Sequence, residues 1–167
     1  DYNNGFVLPA AIDKAVYVTI EKTAGSRISL YSVDFNESVE VELPDIKPVP
    51  GHWSTYILGV FDQLVKRGCR VQGFKLAVYG DLPLGAGLSS SAAIECAVAF
   101  ALNELFLLHI EKMELAKIAQ SAEHEFAGVK CGIMDQFASL FGKKDRVIKL
   151  DCRSLAYEYF PVNLGGY

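Results

Sequence analysis

The densest concentration of chemistry-bearing residues is the run Pro83-Leu84-Gly85-Ala86-Gly87-Leu88-Ser89-Ser90-Ser91-Ala92-Ala93. Gly85 and Gly87 permit the tight, positive-φ backbone that turns several N–H groups toward one point. Ser89, Ser90 and Ser91 follow where a long apolar helix should begin, and a helix N-terminus has unpaired N–H groups and a partial positive charge. Together they predict a cradle for an anion, with phosphate the natural occupant. The competing reading is a plain Gly/Ser turn, although capping alone uses only one of three hydroxyls. Two better-known phosphate loops do not fit. Gly80 and Gly85 have the P-loop spacing, but Ala86 and Gly87 stand where Lys and Ser/Thr are required. The dinucleotide fingerprint needs Gly or Ala where Ser90 stands, and its acidic residue about 20 positions on has no counterpart but Glu104, inside the apolar helix.

Such a loop must hang between a strand and a helix. Residues 73–79 alternate as a strand, and residues 92–106 are Ala/Leu-rich and nearly all apolar, as a buried helix requires. Upstream, residues 6–12 and 14–22 read as strands, with Val16, Val18 and Ile20 on one face. Residues 27–33 and 38–43 follow as strands. The stretch 44–51, with three prolines, reads as a surface connection rather than a domain boundary. Residues 53–66 carry Tyr56, Ile57, Val60, Phe61 and Leu64 at core spacing, with Gly68 as the residue just past the helix end. A further helix is expected over 111–126, stopped by Gly128, then a short one over 135–141 and strands over 147–150 and 157–162. Strands gather early and helices later, which predicts an α+β fold rather than a doubly wound sheet.

Length and composition suit one soluble, cored domain spanning 1–167. Of the 167 residues 51% are apolar and 22% charged, which is globular rather than disordered. A net charge of −4 argues against nucleic acid or an anionic membrane as a partner. An acidic chain that holds a triphosphate must use local N–H groups and a metal rather than its overall field. The longest apolar stretch, 97–110, is broken by Asn103-Glu104 and too short to span a bilayer. Cys69, Cys96, Cys131 and Cys152 have no Cys-x-x-Cys spacing, and reduced thiols fit a cytoplasmic protein. His124-Glu125 lacks the second His of a zinc protease, so His124 is expected on a solvated helix surface.

Residues 83–93 resemble the second signature motif of the GHMP kinases. Two further stretches are similar to the galactokinase branch of that family. Asp1-Tyr2-Asn3-Asn4-Gly5-Phe6-Val7-Leu8-Pro9-Ala10-Ala11-Ile12 resembles the end of its sugar signature. Ala122-Glu123-His124-Glu125-Phe126-Ala127-Gly128-Val129-Lys130-Cys131-Gly132-Ile133-Met134-Asp135-Gln136 resembles the segment holding its catalytic aspartate. The resemblance implies the ribosomal-protein-S5-domain-2-like fold of these N-terminal domains, a mixed β-sheet covered by helices. It implies ATP-dependent phosphorylation of the anomeric hydroxyl of galactose in the parent protein, with ATP and Mg²⁺ required. Alternatives within that resemblance are a kinase for N-acetylgalactosamine and a non-catalytic galactose/ATP-binding sensor. Sensors tend to lose part of the Ser-Ser-Ser-Ala region, which is present here.

The same resemblance assigns roles residue by residue. Gly85, Ala86, Gly87, Leu88, Ser89, Ser90 and Ser91 would bind the triphosphate. Ser91 and Glu123 would hold Mg²⁺, a hard cation satisfied by a few oxygens. A helix cap at Ser91 and a solvated acid at Glu123 are the plainer readings, and Glu125 is a rival ligand on another helix face. Asp135 would be the catalytic aspartate, accepting or orienting the sugar hydroxyl proton. Without the resemblance, Asp135 reads as a cap for the next helix. Asp1 and Gly132 would contact the sugar along with Asp135, and Trp53 would stand on the adenine side, although a core tryptophan is an equal reading. Family members precede the Asp-Tyr-Asn stretch with an arginine-bearing segment and continue into a C-terminal domain with a third glycine-rich motif. A chain clipped at both ends is therefore expected to have little or no kinase activity alone.

Overall fold

The computed structural model describes residues 1, 4–81 and 89–162. Tyr2, Asn3 and the loop residues Gly85, Ala86, Gly87 and Leu88 lie outside them. Strands β1 (Phe6–Val7), β2 (Val16–Lys22), β3 (Arg27–Ser32) and β4 (Glu37–Glu42) come first. Helix α1 (Ser54–Lys66), strand β5 (Phe74–Gly80) and helices α2 (Ser90–Leu105), α3 (Lys112–Ser121) and α4 (Met134–Phe141) follow. Strands β6 (Arg146–Asp151) and β7 (Tyr157–Pro161) close the described chain. The fold is α+β, as the element order predicted.

The strands form two sheets. One is four-stranded in the order β2-β5-β3-β4, mixed because β3 and β5 run parallel while the other pairs are antiparallel. The other is antiparallel, in the order β1-β6-β7. The register sets Ile20 opposite Leu76 and Leu76 beside Leu30, so one face of the larger sheet is continuously apolar. Tyr17 and Tyr79 stack on the opposite, solvated face with ring centroids 6.0 Å apart. The strand expected over 6–12 stops at Val7. Pro9 has no N–H to continue the ladder, and only its carbonyl is used, accepting from Ile148 N at 2.9 Å. The strand expected from residue 14 starts at Val16, because Ala15 N donates instead to Asp81 Oδ1 at 2.6 Å.

Helices α1, α2 and α3 bury their apolar faces with the larger sheet through Phe61, Leu64, Val98, Leu102, Leu115 and Ile118. α1 ends where expected. Gly68 takes φ +77°, donating to Val65 O at 2.9 Å while Cys69 N donates to Leu64 O at 3.0 Å, the paired bonds of a Schellman stop. A smaller core of Ile133, Phe137, Ile148 and Leu150 joins α4 to β6. α2 touches β2, α1, α3 and α4, which explains its small, apolar side chains. Among the described residues no helix is long and apolar enough to cross a membrane. All four cysteines are free thiols.

The helix expected over 111–126 is α-helical only to Ser121 and then widens into a π-helical turn, Ala122–Phe126. Ala127 N donates to Ala122 O at 3.0 Å and Val129 N to Glu123 O at 2.9 Å, so the extra residue is absorbed at this turn. Gly59 of α1 lets it approach closely, since a Cβ there would meet Phe126 Cβ at 3.2 Å and Ala122 Cβ at 3.3 Å.

Candidate active site

The π-helical turn decides which acid faces inward. Glu123 is 5% exposed, pointing at α2 and α4, whereas Glu125 lies on the outer face. There Glu125 accepts from Gln63 Nε2 at 2.9 Å and pairs with Lys66 Nζ at 3.6 Å. Glu123 Oε1 accepts from Ser91 Oγ at 3.0 Å, and its Oε2 accepts from Gln136 Nε2 at 3.0 Å. Ser91 is in the first turn of α2, and Gln136 follows Asp135 in the first turn of α4. Three segments far apart in sequence thus meet on one carboxylate.

At the N-terminus of α2 two serines take different roles. Ser89 occupies its cap position in the left-handed region at φ +53°, and its side chain makes no capping bond. The plain-cap reading of Ser91 also fails, because its hydroxyl is given to Glu123 rather than to the backbone. No acidic residue occupies the first turn of α2.

Asp135 does not cap α4. That task falls to Asp1, whose carboxylate accepts from Ile133 N at 3.2 Å and Met134 N at 3.4 Å. A Cβ at Gly132 would collide with the Asp1 carboxylate, so any other residue there must displace that side chain. Asp1 and Gly132 are therefore brought together, and Asp135 stands beyond them in the first helical turn. Asp135 lines a cleft of about 690 Å³ with Ser89, Lys14, Ala93, Lys112 and Ser139. The cleft runs along α2 between the start of β2 and α4, and Ser89 and Asp135 both open onto it.

Sequence reasoning did not single out Glu95 or Gln136, both completely buried in this cluster. Glu95 follows Ser91 by four residues, one helical turn, and is the only acid on the buried side of an otherwise apolar helix; that spacing was its signal. Neither of its carboxylate oxygens has a hydrogen-bond partner among the described residues. Burial, then the neighbouring Glu123 charge, pushes the Glu95 carboxyl up to about 9, so it is a neutral acid at pH 7. The Cys131 thiol nearby is pushed up to about 12, chiefly by burial. Tyr56 is raised as well, first by burial and then by Glu123 and Glu95.

The hydroxyl of Ser91 and the carboxylate of Glu123 are hard oxygens already in contact, a donor pair that suits Mg²⁺ completed by phosphate and water. No group of three or more His, Cys, Asp or Glu side chains able to hold a metal occurs among the described residues. Trp53 is 8% exposed within the main core. Its indole N–H donates to Glu37 Oε2 at 2.7 Å, and its described partners tie it to β4. His124 is exposed as expected, but clips the following loop, its Nε2 lying 3.0 Å from Cys131 N.

Comparison with known proteins gives a consistent picture. The model of the GHMP kinases N terminal domain matches residues 55–143. The chain is 50% identical to a galactokinase of Thermotoga neapolitana over its whole length, covering 46% of that protein. It is 47% identical over 161 residues to a galactokinase of Pyrococcus furiosus, covering 45% of it. Among solved structures, Lactococcus lactis galactokinase complexed with galactose superposes with a TM-score of 0.94 at 37% identity, over 100% of this chain and 44% of that one. The mevalonate kinase of Methanococcus jannaschii shares the fold, with a TM-score of 0.76 at 22% identity over 97% of this chain and 50% of that one. The chain spans about half the length of the curated relatives it matches.

Proposed function

The chain belongs to the GHMP kinases through their N-terminal domain, and on that premise we propose that residues 1–167 form this domain of a galactokinase, which transfers the γ-phosphoryl group of ATP to the anomeric hydroxyl of galactose. The observation that supports this reading most directly is the convergence of Asp135 and Ser89 on one cleft, with the Ser91–Glu123 pair behind it.

Asp135 has no part in capping its helix, so its carboxylate is free to accept the proton of the sugar hydroxyl or to orient that hydroxyl for attack. Asp1 spends part of its acceptor capacity on Ile133 and Met134, and the remainder is available to ring hydroxyls. A sugar with a misplaced hydroxyl leaves that half-buried acceptor unpaired, which discriminates against it. Gly132 keeps the backbone low enough for this approach. The loop Gly85–Ser91 and the α2 N-terminus cradle the phosphates. Ser91 Oγ and Glu123 would hold Mg²⁺. When bound, the metal neutralises charge on the phosphates and aligns them. Trp53, packed in the main core with its indole anchored by Glu37, fits the reading of a core tryptophan. A C-terminal domain would complete the nucleotide site, and an upstream arginine would steady Asp135 and the transferred group. The free thiols support a cytoplasmic location.

The test is the full-length parent protein with ATP, Mg²⁺ and a panel of hexoses. Galactose should be phosphorylated best, and Asp135→Asn should lower kcat by about 10²–10⁴-fold with an unchanged melting temperature. Preference for N-acetylgalactosamine or glucose would overturn the substrate, and undiminished turnover by the variant would overturn the role of Asp135. Galactose and ATP binding without turnover by the wild type would point to a sensor.

A further inference from the structure

Gln136 is completely buried, one residue beyond Asp135. Its amide orientation follows from its surroundings. Nε2 donates to Glu123 Oε2 at 3.0 Å, and the flipped amide would set Oε1 against that carboxylate. Its backbone carbonyl accepts from Cys96 Sγ at 3.5 Å, which binds this turn of α4 to α2. Glu123 therefore has one oxygen held by α4 and the other by α2, both through neutral donors. The two contacts are not equivalent. The Ser91 hydroxyl rotates freely and is itself a hard ligand, so a cation can enter between Ser91 Oγ and Glu123 Oε1. The Gln136 amide is locked by burial and remains on Oε2.

We infer that Gln136 is a positioning residue for divalent-cation binding, holding Glu123 Oε2 so that Oε1 faces Ser91 and tying that ligand to the helix that carries Asp135. The inference rests on the kinase reading above for its metal–nucleotide ligand. An outer partner of this kind fixes the orientation of a ligating carboxylate, and its loss commonly lowers metal affinity by about 10–100-fold. Glutamine suits the position because it donates without adding charge beside Glu95 and Glu123.

The experiment uses the full-length parent protein with Mn²⁺ and a non-hydrolysable ATP analogue, Mn²⁺ affinity being read by electron paramagnetic resonance. Gln136→Met, which keeps the side-chain volume and removes the donor, should weaken Mn²⁺ binding about tenfold or more while the melting temperature stays near wild type. Its kcat should recover at saturating Mg²⁺ with KM for the sugar unchanged. Mn²⁺ affinity within twofold of wild type overturns the inference. Should Gln136→Met fail to fold, the wild type decides: the Gln136 side-chain amide resonance, one carboxylate away from the metal, should broaden beyond detection with Mn²⁺. A sharp resonance under those conditions overturns the inference. The Mn²⁺ measurements need no sugar, so a wild type that fails to phosphorylate galactose refutes the substrate reading and leaves this result interpretable.

Discussion

Replacing Glu95 by Gln should make the protein more stable than wild type at neutral pH, by an amount that grows with pH. Glu95 is completely buried, and both of its oxygens lack partners among the described residues. Its neighbours are Glu123, Gln136, Cys96, Cys131 and Tyr56, none of them a cation. The carboxyl titrates near 4.5 in the unfolded chain and near 9 in the folded one. Between those values the folded state binds more protons than the unfolded state, so this group's contribution to stability is complete at acid pH and is lost as pH rises. The loss is up to roughly 1.4 kcal/mol per pH unit, or about 3 kcal/mol between pH 4.5 and pH 7. Gln matches the protonated acid in shape and does not titrate. Urea unfolding at whole pH steps from 5 to 8 should therefore show the variant-minus-wild-type difference climbing at each step. Carboxylates lowered on the surface, such as Glu37, Glu42 and Asp151, are common to both proteins and cancel in that difference. A difference that stays flat would mean that Glu95 ionises as readily folded as unfolded, and the buried neutral acid would be refuted. A difference that falls with pH would reverse the sign of the reasoning.

Gly132→Ala would drive its new methyl into the Asp1 carboxylate and free the Ile133 and Met134 N–H groups, so a loss of about 1 kcal/mol in urea unfolding is expected. In the full-length parent the same change should raise KM for galactose, and a wild-type KM would separate Asp1 and Gly132 from sugar binding. Glu123→Gln should raise the Mg²⁺ concentration needed for half-maximal turnover about tenfold or more. Glu125→Gln, which touches an exposed pair with Lys66 worth up to about 1 kcal/mol and the bond from Gln63 Nε2, should leave that concentration unchanged; an equal effect of the two changes would refute the assignment of the inward acid.

The sequence alone determined the elements and the chemistry available to them. Alternation in Val16, Val18 and Ile20, core spacing in α1 and the glycine at 68 are local properties, set by side-chain period and backbone freedom, and they place β2, α1 and its Schellman stop without any partner in view. The resemblance of residues 122–136 likewise pointed to an acid at 123 and another at 135. Tertiary structure decided what these residues do. That Glu123 rather than Glu125 faces inward depends on a π-helical turn pressed against Gly59, a contact no periodicity records. Asp1, not Asp135, caps α4, across 132 positions of chain. Glu95 was visible only as an acid one turn after Ser91. Its neutrality comes from desolvation and from the Glu123 charge, both of which exist only once α2 is enclosed by β2, α1, α3 and α4. Local geometry is written in neighbouring residues, but a proton's affinity and a carboxylate's direction are set by everything that packs around them.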